Sequence, residues 1–213
     1  MNTDRIAALY RWIEYAAFGR ALERRRFAFL PLVKGAQRVL IAGEGDGRFL
    51  ARLVRQNPDV RVDVLESSVE MIRLARSRLP PGANVTFHRE DALETPPEGP
   101  FDLVVTHFFL DCLSDEETVR FIEGIKQQLS FSAFWLVSDF QQVSFWPANW
   151  HSWLWLRVMY AFFRLSTGLR TAKLPQIDRA LHGAGFELVT KEEARLGLIV
   201  SQLWRLDQKG SQL

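Results

Sequence analysis

The sequence predicts an open α/β fold, a doubly wound and mostly parallel sheet with helices packed on it. Two observations carry that expectation. Short β-branched or apolar runs at Val39–Ala42, Val60–Leu65, Val85–His88, Leu103–Thr106, Trp135–Ser138, Phe186–Val189 and Leu198–Leu203 are separated by amphipathic stretches near 47–56, 68–79, 115–129 and 175–184, the alternation produced by successive βα units. The first run also passes directly into a glycine-rich turn and then a helical pattern, which is how open α/β sheets hand a strand over to a helix.

At 213 residues the chain is long enough for one full domain with helical additions. Its spacing divides it into an N-terminal helical lid over 1–36, a core over 37–139, an aromatic insertion over 140–173 and a closing helix with two strands over 174–213. Composition is ordinary for a globular protein, with 47% hydrophobic and 24% charged residues, which excludes a disordered chain. The one cysteine, Cys112, excludes an internal disulfide, and no basic-apolar-small leader opens the chain, so a cytoplasmic protein is expected. Formal net charge is +2 overall, divided as +5 over 1–38, −7 over 39–139 and +4 over 140–213. A dedicated nucleic-acid binder needs a stronger, localised cationic field, so no nucleic-acid partner is expected.

Residues 3–29 read as helix: Thr3 can cap it, Ile6, Leu9, Tyr10, Ile13, Ala16 and Ala17 recur at helical spacing, and Pro31 stops it. The segment Arg38–Leu50 is a buried strand followed by Gly43, Gly45 and Gly47 and a helix. Glycines there permit positive φ and a close ligand approach. A phosphate-binding P-loop is excluded because no lysine stands at the required spacing. A dinucleotide fingerprint needs a third glycine at position 48, which is Arg48, so a nicotinamide or flavin dinucleotide fits less well.

Gly-x-Gly-x-Gly fits 43, 45 and 47, and with it the chain resembles the class I S-adenosylmethionine-dependent methyltransferases. Glu66 ends the second strand, where the resemblance implies a carboxylate accepting from both ribose hydroxyls; as a competing role it would cap the helix beginning near Ser67 or Ser68. Asp91 and Ala92 follow the third strand and resemble the family's pair at the adenine amino group. Phe101–His107, Phe134–Asp139 and Leu181–Val189 resemble its fourth and fifth strands and its turn into the sixth. The resemblance therefore implies strand order 3-2-1-4-5-7-6 with strand seven antiparallel, S-adenosyl-L-methionine as cofactor and S-adenosyl-L-homocysteine as its product. The implied cofactor-binding residues are Gly43, Glu44, Gly45, Gly47, Glu66, Ser67, Asp91, Ala92, Thr106 and His107. Two departures stand out. Ile41 occupies the position where the family usually has an acidic residue aimed at the methionine end, so Glu44 or a group from the first helix must replace it. Leu129–Phe134 replaces the usual glycine turn before strand five, in a loop the family keeps away from the cofactor.

Methyl transfer from a sulfonium is an in-line displacement with a good leaving group, so a protein mainly positions the nucleophile and excludes water. A general base is needed only for a protonated acceptor. The candidates are His107 and Asp111, which follow strand four at the carboxyl edge of the sheet; the competing roles are a residue packed beside the cofactor for His107 and a loop or cap residue for Asp111. Cys112 reads as a structural thiol. The histidines at 88, 107, 151 and 182 show no ligand spacing, so no metal is expected.

Between Phe140 and Phe163 lie nine aromatic residues, and Asn149, His151, Ser152 and Arg157 break the apolar run that a membrane span requires. Trp153, Arg157, Tyr160 and Arg164 share one helix face. With Tyr10, Tyr15, Trp146 and Trp150 they are expected to bind an apolar or aromatic small-molecule acceptor as a lid, to make a peripheral membrane contact through 140–172, or to pack as a core helix. The leading expectation is methyl transfer to such an acceptor. The alternatives are a non-catalytic cofactor-binding or scaffold protein, and a nicotinamide-dependent oxidoreductase.

Overall fold

A computed structural model describes residues 21–89, 92–94, 96–141, 174–194 and 197–207. Its elements are α1 (Ala21–Arg26), β1 (Arg38–Ala42), α2 (Arg48–Gln56), β2 (Arg61–Leu65), α3 (Val69–Arg78), β3 (Val85–His88), β4 (Phe101–His107), α4 (Asp115–Lys126), β5 (Leu129–Phe140), α5 (Ile177–Gly183), β6 (Phe186–Ala194) and β7 (Ile199–Leu206). Short 3₁₀ turns lie at Leu30–Leu32 and Leu110–Cys112. The seven strands form one sheet in the order β3-β2-β1-β4-β5-β7-β6. Pairings from β3 through β5 are parallel, and β7 runs antiparallel to both of its neighbours. The order and the antiparallel strand are those the sequence led us to expect.

Strand alternation splits the core between the two faces of the sheet. Val39, Ile41, Leu103, Val105 and Leu136 pack with Phe49, Leu50, Leu53 and Val54 of α2 on one face. Leu40, Ala42, Val104, Trp135 and Val137 pack with Phe121, Ile122 and Ile125 of α4 and Leu181 of α5 on the other. Helix starts follow local chemistry. Ser114 accepts from Glu117 N–H while the Glu117 carboxylate accepts from Ser114 N–H, a reciprocal cap on α4. Ser68 Oγ accepts from Met71 N–H at the start of α3. At the far edge of the sheet, the Asp102 carboxylate accepts from the N–H groups of Gln37 and Arg38 and fixes where β1 begins beside β4.

Three element boundaries differ from the sequence expectation. The first helix, described from Ala21, ends at Arg26 rather than near 29. Pro31 supplies no N–H and its ring opposes the carbonyl of Phe27 in a continuing helix, so the chain turns and re-enters as a 3₁₀ segment. Strand β5 starts at Leu129, because Leu129 pairs with Phe101 before a register shift between Phe101 and Leu103; the expected loop is extended strand. Strand β6 continues to Ala194 although its side chains are mostly exposed. Its backbone is held by β7, and its Lys191, Glu192 and Glu193 suit an edge that must not recruit another strand.

Candidate functional site at the carboxyl edge of the sheet

The three glycines all have positive φ, at 71°, 68° and 84°, but for different reasons. A Cβ at Gly43 would stand 2.7 Å from the Phe109 ring, and one at Gly47 would stand 2.4 Å from Ala75 Cα. Those two are required by packing. At Gly45 a Cβ would meet nothing within 4 Å, so the space over its backbone is open to a ligand. Arg48, in place of a third fingerprint glycine, binds the Asp46 carboxylate at 2.9 Å, and Arg78 reaches the same carboxylate at 3.1 Å.

Glu66 sits at the end of β2 with intermediate exposure. Its Oε2 accepts from Gly45 N–H at 3.2 Å and its Oε1 from Ser68 N–H at 2.9 Å. The carboxylate thus joins the glycine loop to the start of α3, beside exposed Ser67. Glu44 turns the other way. It is 8% exposed, and its Oε1 accepts from Leu50 N–H at 2.9 Å in the first turn of α2. Burial pushes its pKa up to about 8.

Thr106 and His107 leave β4 beside Ala42 and the loop. Thr106 is fully buried, and its Oγ1 accepts from Trp135 Nε1–H at 3.0 Å, which commits the hydroxyl to the core. His107 packs edge-on against Phe49, with ring centroids 4.6 Å apart. It is 5% exposed, and neither ring nitrogen meets a hydrogen-bond partner. Burial, then the nearby Arg26 charge, holds it well below the ordinary imidazole range, so it is neutral at pH 7.

Asp111 lies in the 3₁₀ turn after β4 and faces the carboxyl of Asp139, which is fully buried at the end of β5. Burial raises both above the usual carboxylate range, Asp139 well above it, and two adjoining carboxyls cannot both ionise cheaply. Neither oxygen of the Asp139 carboxyl meets a hydrogen-bond partner among the described residues. The Cys112 thiol lies 3.4 Å from Asp111 Oδ1, and burial pushes it well up, so it is a thiol and not a nucleophilic thiolate. Ala92 packs at the rim of the second core.

Helix α1 brings a cation to this edge. Ser138 and Ser201 hydroxyls donate to the Arg25 carbonyl at 3.1 and 2.8 Å, which docks α1 over the ends of β5 and β7. The Arg26 guanidinium is 5.2 Å from the centroid of the Phe108 ring and buried. Sequence reading missed Arg26 and Asp139. A charged residue closing the apolar run of β5 was a usable signal for the second; nothing local marked the first. Asp91, Tyr10, Tyr15, Trp146, Trp150, Trp153, Arg157 and Tyr160 lie outside the described residues. Among the described residues no group of three His, Cys, Asp or Glu could hold a metal ion, and no helix is long and apolar enough to cross a membrane.

Comparison with known proteins agrees with this architecture. Mitomycin 7-O-methyltransferase MmcR superposes with a TM-score of 0.70 at 18% identity, over 97% of this chain and 61% of that one. The N-methyltransferase NodS from Bradyrhizobium japonicum, in complex with S-adenosyl-L-homocysteine, gives 0.63 at 15% identity, over 87% and 88%. Magnesium protoporphyrin IX methyltransferase from Synechocystis, with the same molecule bound, gives 0.65 at 16% identity, over 90% and 86%. The chain thus spans about six tenths of the mitomycin enzyme's length. No curated protein sequence matches it. Residues 39–131 match the family described as a methyltransferase domain. Over that segment the chain is similar to the methyltransferase-domain family, and its sheet has the Rossmann-like strand order of the class I enzymes.

Proposed function

We propose that the protein is an S-adenosyl-L-methionine-dependent methyltransferase whose acceptor is a small apolar or aromatic molecule. The observation that carries the reading is Glu66, held by Gly45 N–H and Ser68 N–H beside the open space over Gly45. A carboxylate accepts hydrogen bonds at several lone-pair sites, and at this place in the fold a ribose supplies hydroxyl donors. Gly43, Gly45 and Gly47 shape the loop, Ser67 borders Glu66, and Asp91 with Ala92 would meet the adenine. Thr106 and His107 flank the far side. Glu44 acts beneath the loop, as a cap for α2. Bound there, the cofactor supplies an electrophilic methyl on a sulfonium.

The chain's own residues position the acceptor and take its proton. Asp111 is the base in this reading. Burial raises its pKa above the usual carboxylate range, and a general base works best with a pKa nearer the working pH. A cleft of ≈ 340 Å³ beside β5 has Val137, Phe140, Leu174, Ile177 and Val200 in its wall. It also includes Gln141, so it borders both ends of segment 142–173, whose aromatic side chains, Trp146, Trp150, Trp153 and Tyr160 with Arg157, would close over the acceptor. Tyr10 and Tyr15 would do so from the lid. The test is a melting comparison of the purified chain with S-adenosyl-L-homocysteine and with NAD. A ligand at a hundredfold its Kd adds about 2.7 kcal/mol of stability, expected for the first and not the second. A shift with NAD alone would overturn the reading.

A further inference from the structure

We propose that the outer face of α1, α2 and α3 docks on an anionic lipid surface through its arginines. The three helices adjoin one another. Phe27, just after α1, stacks on Phe49 of α2, and Arg55 of α2 donates to the Arg78 carbonyl at the end of α3. Together they carry nine arginines and two glutamates, whereas α4 and α5, which pack on the opposite face of the sheet, carry five carboxylates and three cations. The sheet therefore separates a strongly positive side from a mildly negative one. Residues 39–139 are acidic as a block, so this polarity comes from folding and not from composition.

The outermost of these charges are not matched within the fold. Arg24, Arg52 and Arg55 are exposed, and no carboxylate pairs with any of them among the described residues. Helix α2 places Arg48, Arg52 and Arg55 at spacings of four and three with no acidic residue, so like charges face one another, which destabilises a helix by itself. A solvated helix face is ordinarily laced with both signs. These arginines border a groove of ≈ 400 Å³ that also includes Glu23, Phe27 and Arg78. The Arg52 guanidinium lies 4.6 Å from the centroid of the Phe27 ring, and Arg78 is held by Asp46, so these cations are in place before a partner arrives.

Two features favour a bilayer over a nucleic acid or an acidic protein. Positive charge is spread over three helices on one side and opposed by negative charge on the other, which orients the molecule in front of a charged plane. The segment after α1 packs on the same face through Phe29, Leu30 and Val33 but leaves Leu32 64% exposed. An apolar side chain on a cationic face is the combination that an interfacial surface uses. This face is separate from the tract 140–172 and does not depend on the cofactor.

The experiment is co-sedimentation of the full chain with phosphatidylcholine vesicles that contain or lack phosphatidylglycerol. The chain should sediment with the anionic vesicles alone, and added salt should release it. Arg52→Gln combined with Arg55→Gln should weaken binding about fivefold for each charge removed, and Arg24→Gln on α1 about fivefold by itself. Arg52→Lys with Arg55→Lys keeps the charges and should stay within about twofold of the unmodified chain, because a lipid surface reads charge more than fork geometry. Arg120→Gln removes a cation from α4 on the opposite face and should also change binding by less than about twofold. Failure to sediment with anionic vesicles at low salt, or an Arg120→Gln loss equal to that of Arg24→Gln, overturns the proposal. Capture of a DNA duplex by a chain that ignores the vesicles overturns it as well, and assigns the arginine face to a nucleic acid.

Discussion

The Glu66 carboxylate accepts the Gly45 N–H at 3.2 Å with one oxygen and the Ser68 N–H at 2.9 Å with the other. This single side chain therefore links the loop after β1 to the helix after β2, and fixes the distance between the two places where a nucleoside would touch the protein. Glu66→Ala should weaken S-adenosyl-L-homocysteine by about 1.5 to 3 kcal/mol, the scale of hydrogen bonds to a charged acceptor. Titration calorimetry checks it. A change of a few tenths would leave Glu66 only its structural role between loop and helix.

Gly45 and Gly47 should separate ligand contact from packing. Alanine at Gly47 drives a Cβ to 2.4 Å from Ala75 Cα at a φ of 84°, so α2 and α3 must move apart and the melting temperature falls sharply. Alanine at Gly45 meets nothing and incurs only the left-handed backbone cost of about 1–2 kcal/mol. Valine at Gly45 should remove cofactor binding from a protein that still folds. Equal stability losses for the two alanine variants would contradict this division.

The carboxyl pair predicts a pH dependence. Asp111 and Asp139 both hold their protons more firmly folded than unfolded. Their contribution to stability is therefore fully present below the unfolded carboxylate pKa of about 3.9 and is lost as pH rises through the raised folded values. Asp139→Asn removes one titration and supplies an N–H donor to Asp111, so the melting temperature should fall less steeply with rising pH than in the unmodified chain. The same variant should move the acidic limb of the rate profile to lower pH. An unchanged melting profile would mean that the two carboxyls do not share a proton.

Glu44 gives a second, separable titration. Its pKa is raised to about 8, so its contribution is present below about 4.5 and lost as pH climbs to 8. Glu44→Gln keeps an oxygen for Leu50 N–H and removes the charge, and should melt higher than the unmodified chain above pH 8. Glu44→Ala instead leaves that N–H without its acceptor and should melt lower at every pH.

Ser114→Ala tests the helix that follows the carboxyl end of β4. It removes the acceptor for Glu117 N–H at 3.1 Å and half of the reciprocal cap. A loss of about 1 kcal/mol is expected by denaturant titration, with cofactor affinity unchanged because Ser114 stands beyond the 3₁₀ turn that carries Asp111.

The sequence by itself determined the sheet and its glycine loop. Runs such as Val39–Ala42 and Leu103–Thr106 are apolar on both faces, which only a strand covered on both sides tolerates, and Gly43, Gly45, Gly47 and Glu66 are close enough in order to be read along the chain. Tertiary structure decided the rest. Gly43 and Gly47 look alike in sequence, yet their partners, Phe109 and Ala75, come from other parts of the chain. Asp111 and Asp139 are separated by a helix and a strand and meet only because β4 and β5 are neighbours, and the burial that raises their pKa values exists only in that packing. Arg26 comes to lie over the Phe108 ring because two serines of distant strands hold the carbonyl before it. Burial and charge proximity are properties of packed neighbours, and no periodicity along a single chain encodes which neighbours those will be.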